Sequence, residues 1–194
     1  MDRRHVLKNI ALTLGLTVTT PTVLSLLGSC AKDVGTSTLE FFDKKSIVAI
    51  EFLVDIILPV TTTVGGKQLN LSIFVDKMIK NVLKDRDQKE ISMGLDEFAK
   101  DFEDLFGKKI QEGNHKDYEQ IVKTFFDVPD KIRTEVFTLL QQDFSLLPQQ
   151  SKKDYVLYKF LTTVRAFSML GYYTSQTIVE GVLADNDHHL DFVR

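Results

Sequence analysis

Few residues of this 194-residue chain have types and spacings that suggest chemistry. Its single cysteine, Cys30, can form neither an intramolecular disulfide nor a zinc site built from several thiolates. No serine lies in a G-x-S-x-G turn, and no glycine-rich segment matches the patterns that cradle nucleotide phosphates. The sequence therefore predicts neither a covalent nucleophile nor a dinucleotide-binding site in this chain.

Metal-binding and acid/base patterns are equally weak. The pair His188 and His189, close to three aspartates, could supply nitrogen and oxygen ligands, but adjacent histidines in a polar tail are more typical of a solvated segment. His115 is expected in a surface loop. The carboxylates between residues 96 and 104 fall opposite a Phe/Leu face, which indicates a solvated helix face rather than the desolvated pocket that general acid/base work requires. We predict no catalytic and no metal site.

The composition is that of an ordinary globular protein. Hydrophobic residues make up 43% and charged residues 26%, and the net charge is −3. A net negative charge without clustered Lys and Arg argues against nucleic-acid binding, since phosphate contacts require basic residues. The composition therefore indicates a globular protein but predicts no particular activity.

The first thirty residues have the pattern of an export signal. Arg3 and Arg4 form a basic start, and no charged residue occurs between positions 9 and 31. The arginine pair resembles a twin-arginine signal. The segment ending in Cys30 resembles a lipobox, in which the cysteine becomes the lipidated first residue. A retained membrane anchor is the alternative, although Gly15, Pro21 and the threonines make the run a poor one.

The region after this signal predicts an all-α fold, a compact bundle of about six helices. Apolar residues recur at spacings of three and four, and strand-type alternation is nearly absent. We divide the chain into a signal peptide (1–29), a tether (30–42), a helical domain (43–183) and a polar tail (184–194). Within the domain the predicted helices are 44–58, buried and central; one capped by Asn70; 85–106, closed by Gly107; 117–126; 130–142; and 152–170. Gly171 is expected to interrupt the last of these, and 174–183 to continue it for a helical turn or two.

Two segments do not fit a plain helical bundle. The loop Pro59–Leu69 contains three threonines and two glycines directly after an apolar helix. The segment 167–176 places a glycine before Tyr172 and Tyr173. Its residues could form a core helix with a glycine kink, or they could anchor a protein interface, because tyrosine combines a large apolar area with a polar tip. The sequence leaves both readings open.

These two segments and the signal resemble the gluconate 2-dehydrogenase subunit 3 family. Residues 56–63, Ile-Ile-Leu-Pro-Val-Thr-Thr-Thr, resemble the family's Ile-Ile-Pro loop with its threonines, and 74–76 resemble the helix start that follows it. Residues 170–175, Leu-Gly-Tyr-Tyr-Thr-Ser, resemble a second family segment. The chain departs from the family at Val64-Gly65-Gly66, where Pro-Gly is usual, and it lacks the usual C-terminal Pro-Gly.

The resemblance implies a non-catalytic small subunit that binds no cofactor itself. Its partner would be an FAD-dependent dehydrogenase subunit of the glucose-methanol-choline type, and a cytochrome c subunit commonly accepts the electrons. The small subunit would aid maturation of the flavoprotein and its export through the twin-arginine translocase. It would then stay in the periplasm as a lipoprotein anchored to the membrane through Cys30. The expected partner interface comprises Pro59, Thr61, Thr62, Thr63, Gly171, Tyr172, Tyr173, Thr174 and Ser175.

Two other functions stay open from the sequence alone. The chain could be a free-standing envelope lipoprotein that serves as a binding or scaffold module, in which case it would be a stable monomer without a large apolar patch. It could also be an enzyme in its own right, which would require the isolated chain to retain a flavin.

Overall fold

The computed structural model describes residues 38–182, and within this range the chain forms six α-helices and no strand. The predicted all-α bundle is confirmed. Short 3₁₀ turns lie at Ile110–Glu112 and Phe144–Leu146, and a π-helical turn lies at Ile178–Val182. The helices are α1 (Ser46–Ile57), α2 (Leu71–Val82), α3 (Asp85–Phe106), α4 (His115–Phe126), α5 (Asp130–Leu140) and α6 (Gln149–Thr174).

The centre of the bundle is α6, which packs against α1, α2, α3 and α5. Its side chains Phe160, Val164 and Phe167 are fully buried. The first helix, predicted to be central and buried, is therefore not the central one. Helix α1 buries one face, while its outer face carries the exposed Glu51 and leaves Phe52 half-buried.

Local capping explains two of the observed helix ends. Gly107 ends α3 with φ +66°, as predicted, because glycine adopts the left-handed conformation without a Cβ clash. Asn70 precedes α2 in the left-handed region, but its side chain makes no capping bond, which corrects its predicted role. Asn114 and Asp117 form a capping box, so α4 begins at His115, a residue we had expected in a loop.

Gly171 does not interrupt α6, contrary to the sequence-based prediction. The helix runs unbroken to Thr174. A Cβ on Gly171 would lie 2.7 Å from Cδ1 of Phe74 and 2.9 Å from Cδ2 of Leu71, so the glycine allows α2 to approach α6 closely. Within 174–183, where a further helical turn or two was predicted, the chain forms a short π-helical turn at Ile178–Val182.

Helix α5 is the least anchored of the six, because none of its side chains is buried. It packs beside a small separate cluster formed by Leu147, Tyr155 and Val156 near the start of α6. Phe137 on α5 is 53% exposed.

Several predicted features lie outside the described residues. These are the export signal with Arg3 and Arg4, the lipidation site Cys30, and the polar tail with His188 and His189. Between residues 38 and 182, no helix is both long and apolar enough to cross a bilayer.

Candidate interaction surface

The two segments singled out in the sequence meet at one end of the bundle. Thr63 Oγ1 lies 3.0 Å from Tyr172 Oη, a hydrogen bond between residues 109 positions apart. We call the combined region, Pro59–Thr63 with Tyr172–Ser175, the threonine–tyrosine surface. This surface contains Val60 and eight of the nine residues predicted for the partner interface. The ninth, Gly171, is buried.

The loop after α1 is shaped by its two glycines. The Gly66 amide donates to the Leu58 carbonyl at 2.8 Å, and the Gly66 carbonyl accepts from the Leu71 amide at 3.1 Å. A Cβ on Gly66 would lie 2.6 Å from Cγ1 of Val54, and a Cβ on Gly65 would lie 2.9 Å from the Leu58 carbonyl oxygen. Both glycines are therefore required for the loop to fold back onto the end of α1.

The threonines present the outer rim of this loop. The Thr61 amide donates to the Thr63 carbonyl at 3.2 Å, and the Thr63 amide approaches Thr61 Oγ1 at 3.4 Å. Pro59, Thr61 and Thr62 are exposed. Val60 between them is 54% exposed, so an apolar side chain stands in the middle of the rim.

The end of α6 supplies the second half of the surface. Gly171 itself is buried beneath it, so contact with another protein would come from the residues that follow. Tyr172 and Tyr173 are half-buried and cross edge to face, with ring centroids 5.5 Å apart. Thr174 Oγ1 donates to the Leu170 carbonyl at 2.6 Å and Ser175 Oγ donates to the Tyr172 carbonyl at 2.9 Å, which fixes the last turn of the helix.

The threonine–tyrosine surface carries no charged residue. No Asp, Glu, Lys or Arg occurs in residues 59–66 or in residues 166–179, although such residues make up 26% of the chain. The nearest charges in sequence are Asp55, Lys67, Arg165 and Glu180. Depletion of charge and enrichment in tyrosine are typical of the cores of protein–protein interfaces. The surface is thus suited to bind another protein rather than a charged small molecule.

Other candidate sites in the described part of the chain are structural. Residues 38–182 contain no group of three His, Cys, Asp or Glu residues that could hold a metal ion. Glu90 is 3% exposed, but Lys159 Nζ bonds to it and to Asp87, the latter at 2.6 Å. Burial opposes the charge on Lys159, yet these two hydrogen bonds raise the pKa of Lys159 above its ordinary value. The cluster is fully paired and leaves no free acid or base.

Two buried carboxylates were missed by the sequence analysis. Asp76 is 0% exposed, and its carboxylate accepts the backbone amides of Glu40, Phe41 and Phe42. Glu90 is the other. The signal that could have identified Asp76 is its position on the apolar face of a helix, between Val75 and Met78, where a carboxylate requires a partner.

Comparison with known proteins now identifies the family. The family model described as "Gluconate 2-dehydrogenase subunit 3" matches residues 44–188, which span α1 through the end of the described helices and beyond. No curated protein and no solved structure matches the chain. The matched range covers most of the chain and contains both segments of the threonine–tyrosine surface. The chain therefore belongs to the gluconate 2-dehydrogenase subunit 3 family.

Proposed function

We propose that this chain is the accessory small subunit of an FAD-dependent gluconate or sugar dehydrogenase complex, and that it holds the flavoprotein subunit through the threonine–tyrosine surface. The flavoprotein performs the oxidation and contains the FAD. The small subunit contributes binding and maturation but no reacting group. A cytochrome c subunit is a further member of the proposed complex.

The observation that carries this proposal is the junction of Thr63 with Tyr172. It unites two segments far apart in sequence into one uncharged surface that includes the exposed Val60. A surface of this kind gains free energy when a partner covers it, because tyrosine and valine bury apolar area without the desolvation of a full charge. The family to which the chain belongs supports a partner that is a dehydrogenase subunit.

We further propose that the first 29 residues export the complex through the twin-arginine translocase. That route carries folded cargo, so a flavoprotein that has already bound FAD and docked to this chain could leave with it. Lipidation at Cys30 would then hold the complex at the periplasmic face of a membrane, since two acyl chains give stable attachment. Arg3 and Arg4 are the residues on which the translocase would act.

The export role can be tested by replacing both arginines with lysine in the native host. We expect the FAD-dependent dehydrogenase activity to move from the periplasmic and membrane fractions to the cytoplasm, with total activity retained. As a control, Lys8→Arg keeps the basic charge outside the arginine pair and should leave the distribution unchanged. Unaltered export of the dehydrogenase in the double-lysine variant would contradict the proposal.

A further inference from the structure

The segment between the last two prolines of the chain buries none of its apolar side chains. We call residues 130–146, which contain α5 and the 3₁₀ turn Phe144–Leu146, the α5 strap. Its large apolar residues are all exposed or half-buried: Ile132, Val136, Phe137, Leu139, Leu140, Phe144 and Leu146. Helix α4 has nearly the same length as α5 and buries Tyr118, Ile121 and Val122. The strap is therefore held by less apolar burial than its neighbour in the chain.

The strap covers a small apolar cluster that is separate from the main core of the bundle. The cluster consists of Leu147, Tyr155 and Val156, and the strap meets it with Leu139, Leu140 and Phe144. Because these contacts lie outside the main core, the strap can lose them while the main core stays packed. Local opening of this kind is expected where few buried apolar contacts hold an element.

Prolines interrupt the chain at both ends of the strap. Pro129 precedes α5, and Pro148 precedes α6. Proline has no backbone N–H, so neither residue can continue a helix from the segment before it. The strap is thus connected to α4 and α6 through the chain but not through helical hydrogen bonds.

One ion pair ties the strap to α3. Arg86 Nη1 and Nη2 donate to the Asp143 carboxylate at 3.1 and 2.8 Å, and within residues 38–182 these are the only hydrogen bonds that join the strap to another helix. The two side chains are 56% and 42% exposed, so salt screens their attraction. Lys152 on α6 adds a cation–π contact to the Phe144 ring, 5.3 Å from its centroid.

We propose that the α5 strap opens as one unit about its two prolines while the other five helices stay folded, and that the Arg86–Asp143 pair is a salt-sensitive latch on this opening. Opening uncovers the apolar cluster at Tyr155, so the open form presents an apolar site that the closed form hides. The strap is separate from the threonine–tyrosine surface. Tyr155 precedes Tyr172 by 17 residues on the unbroken α6, which corresponds to about 26 Å along the helix axis.

The first test compares two buried valines on the same helix. Val156 lies beneath the strap and is 2% exposed, whereas Val164 lies in the main core and is 0% exposed. Each is replaced by cysteine in the unexported full chain with Cys30→Ser, and the rate of thiol labelling by dithiobis(nitrobenzoate) is measured. We expect Val156→Cys to be labelled at least about a hundredfold faster than Val164→Cys. Equal rates would overturn the proposal, because both thiols would then require unfolding of the whole domain.

The latch is tested in the same assay. Asp143→Asn should speed the labelling of Val156→Cys by about threefold, the size expected for an exposed ion pair, and should leave Val164→Cys unchanged. About 1 M NaCl should speed the labelling of Val156→Cys to a similar degree while Asp143 is present, but not in the Asp143→Asn variant. Labelling that ignores both the salt and the substitution would overturn the latch.

Hydrogen exchange on the unaltered chain tests opening as a unit without any substitution. We expect the amides of residues 134–140 to share one opening free energy and to exchange faster together as urea is added, since a cooperative opening exposes apolar surface. Exchange that falls off from the helix ends with no response to urea would indicate fraying residue by residue and would overturn the proposal. Exchange of these amides only at the rate of the α6 amides would also overturn it.

Discussion

Replacing Gly94 with alanine tests the packing that positions the whole bundle. Gly94 lies in α3 where this helix contacts α6. A Cβ there would lie 2.1 Å from the Val156 carbonyl oxygen and 2.6 Å from Cβ of Phe160. Non-bonded carbon contacts are normally about 3.5–4.0 Å, so the two helices would have to separate by about 1 Å. The obstacle is backbone, which cannot rotate out of the way.

Two opposing free energies set the size of the effect. Alanine favours a helix interior over glycine by about 1 kcal/mol. Overpacking of a close contact costs about 1–3 kcal/mol, and a backbone obstacle places Gly94 at the upper end. We therefore expect Gly94→Ala to lower the free energy of unfolding by about 2 kcal/mol, equivalent to a fall of about 4–8 °C in Tm for a domain of this size.

The measurement is thermal and urea unfolding followed by circular dichroism on the chain without residues 1–29. Gly171→Ala should be less severe than Gly94→Ala, because the obstacles at 2.7 and 2.9 Å are side-chain atoms of Phe74 and Leu71. Gly181→Ala is the matched control, since nothing lies within 4 Å of its Cβ position. A Gly94→Ala protein as stable as the unaltered chain would refute the close contact of α3 with α6.

Three further predictions concern the buried carboxylate of Asp76, the threonine–tyrosine surface and the core. Asp76→Asn should lower the free energy of unfolding by about 3 kcal/mol, because an amide donor would face the backbone amides that the carboxylate accepts. Asp96→Asn, on the exposed face of α3, is the control and should change the free energy of unfolding little. Equal stability of the two variants in urea unfolding would contradict the hydrogen bonds to Asp76. A double-mutant cycle of Thr63→Val and Tyr172→Phe should give a coupling of about 0.5–1 kcal/mol in the same assay, and additive effects would refute their hydrogen bond. Burial raises the pKa of Tyr118 well above its ordinary value of 10.0. The unfolded tyrosine ionises first, so this residue's contribution to stability is complete below pH 10.0 and is lost as pH rises through the folded-state pKa. Tyr118→Phe should therefore reduce the loss of unfolding free energy that is measured as the pH rises above 10.0. An unchanged pH profile would show that folding does not protect the Tyr118 hydroxyl from ionisation.

Periodicity predicted most of this fold, because a helix that buries one face must repeat apolar residues every three or four positions. The 22 residues of α3 were predicted with both ends correct, since Phe98 and Phe102 follow this spacing and Gly107 supplies the left-handed end. The role of Gly171 was misread for a physical reason. A glycine in a helix weakens it locally, and only the position of Phe74 on another helix shows that the missing Cβ is needed for packing.

The candidate surface was predictable in its residues but not in its assembly. The composition of 59–63 and 171–175 marked both segments as unusual, yet nothing local indicates that Thr63 and Tyr172 meet, since contacts across 109 positions depend on the whole bundle. Asp76 was missed for a related reason. Its partners are backbone amides of an irregular segment, and backbone groups leave no trace in side-chain patterns.

The central claim is that the threonine–tyrosine surface binds a flavoprotein. The most direct measurement is affinity purification of the tagged chain from its native host, with flavin absorbance and subunit stoichiometry determined in the eluate. We compare the unaltered chain with Thr62→Glu, which adds a charge to the uncharged rim, and with Ser92→Glu, which adds one to the exposed face of α3. We expect the unaltered chain and Ser92→Glu to retain one flavin-containing subunit, and Thr62→Glu to lose it. Elution of the unaltered chain without flavoprotein, or full retention by Thr62→Glu, would contradict the account.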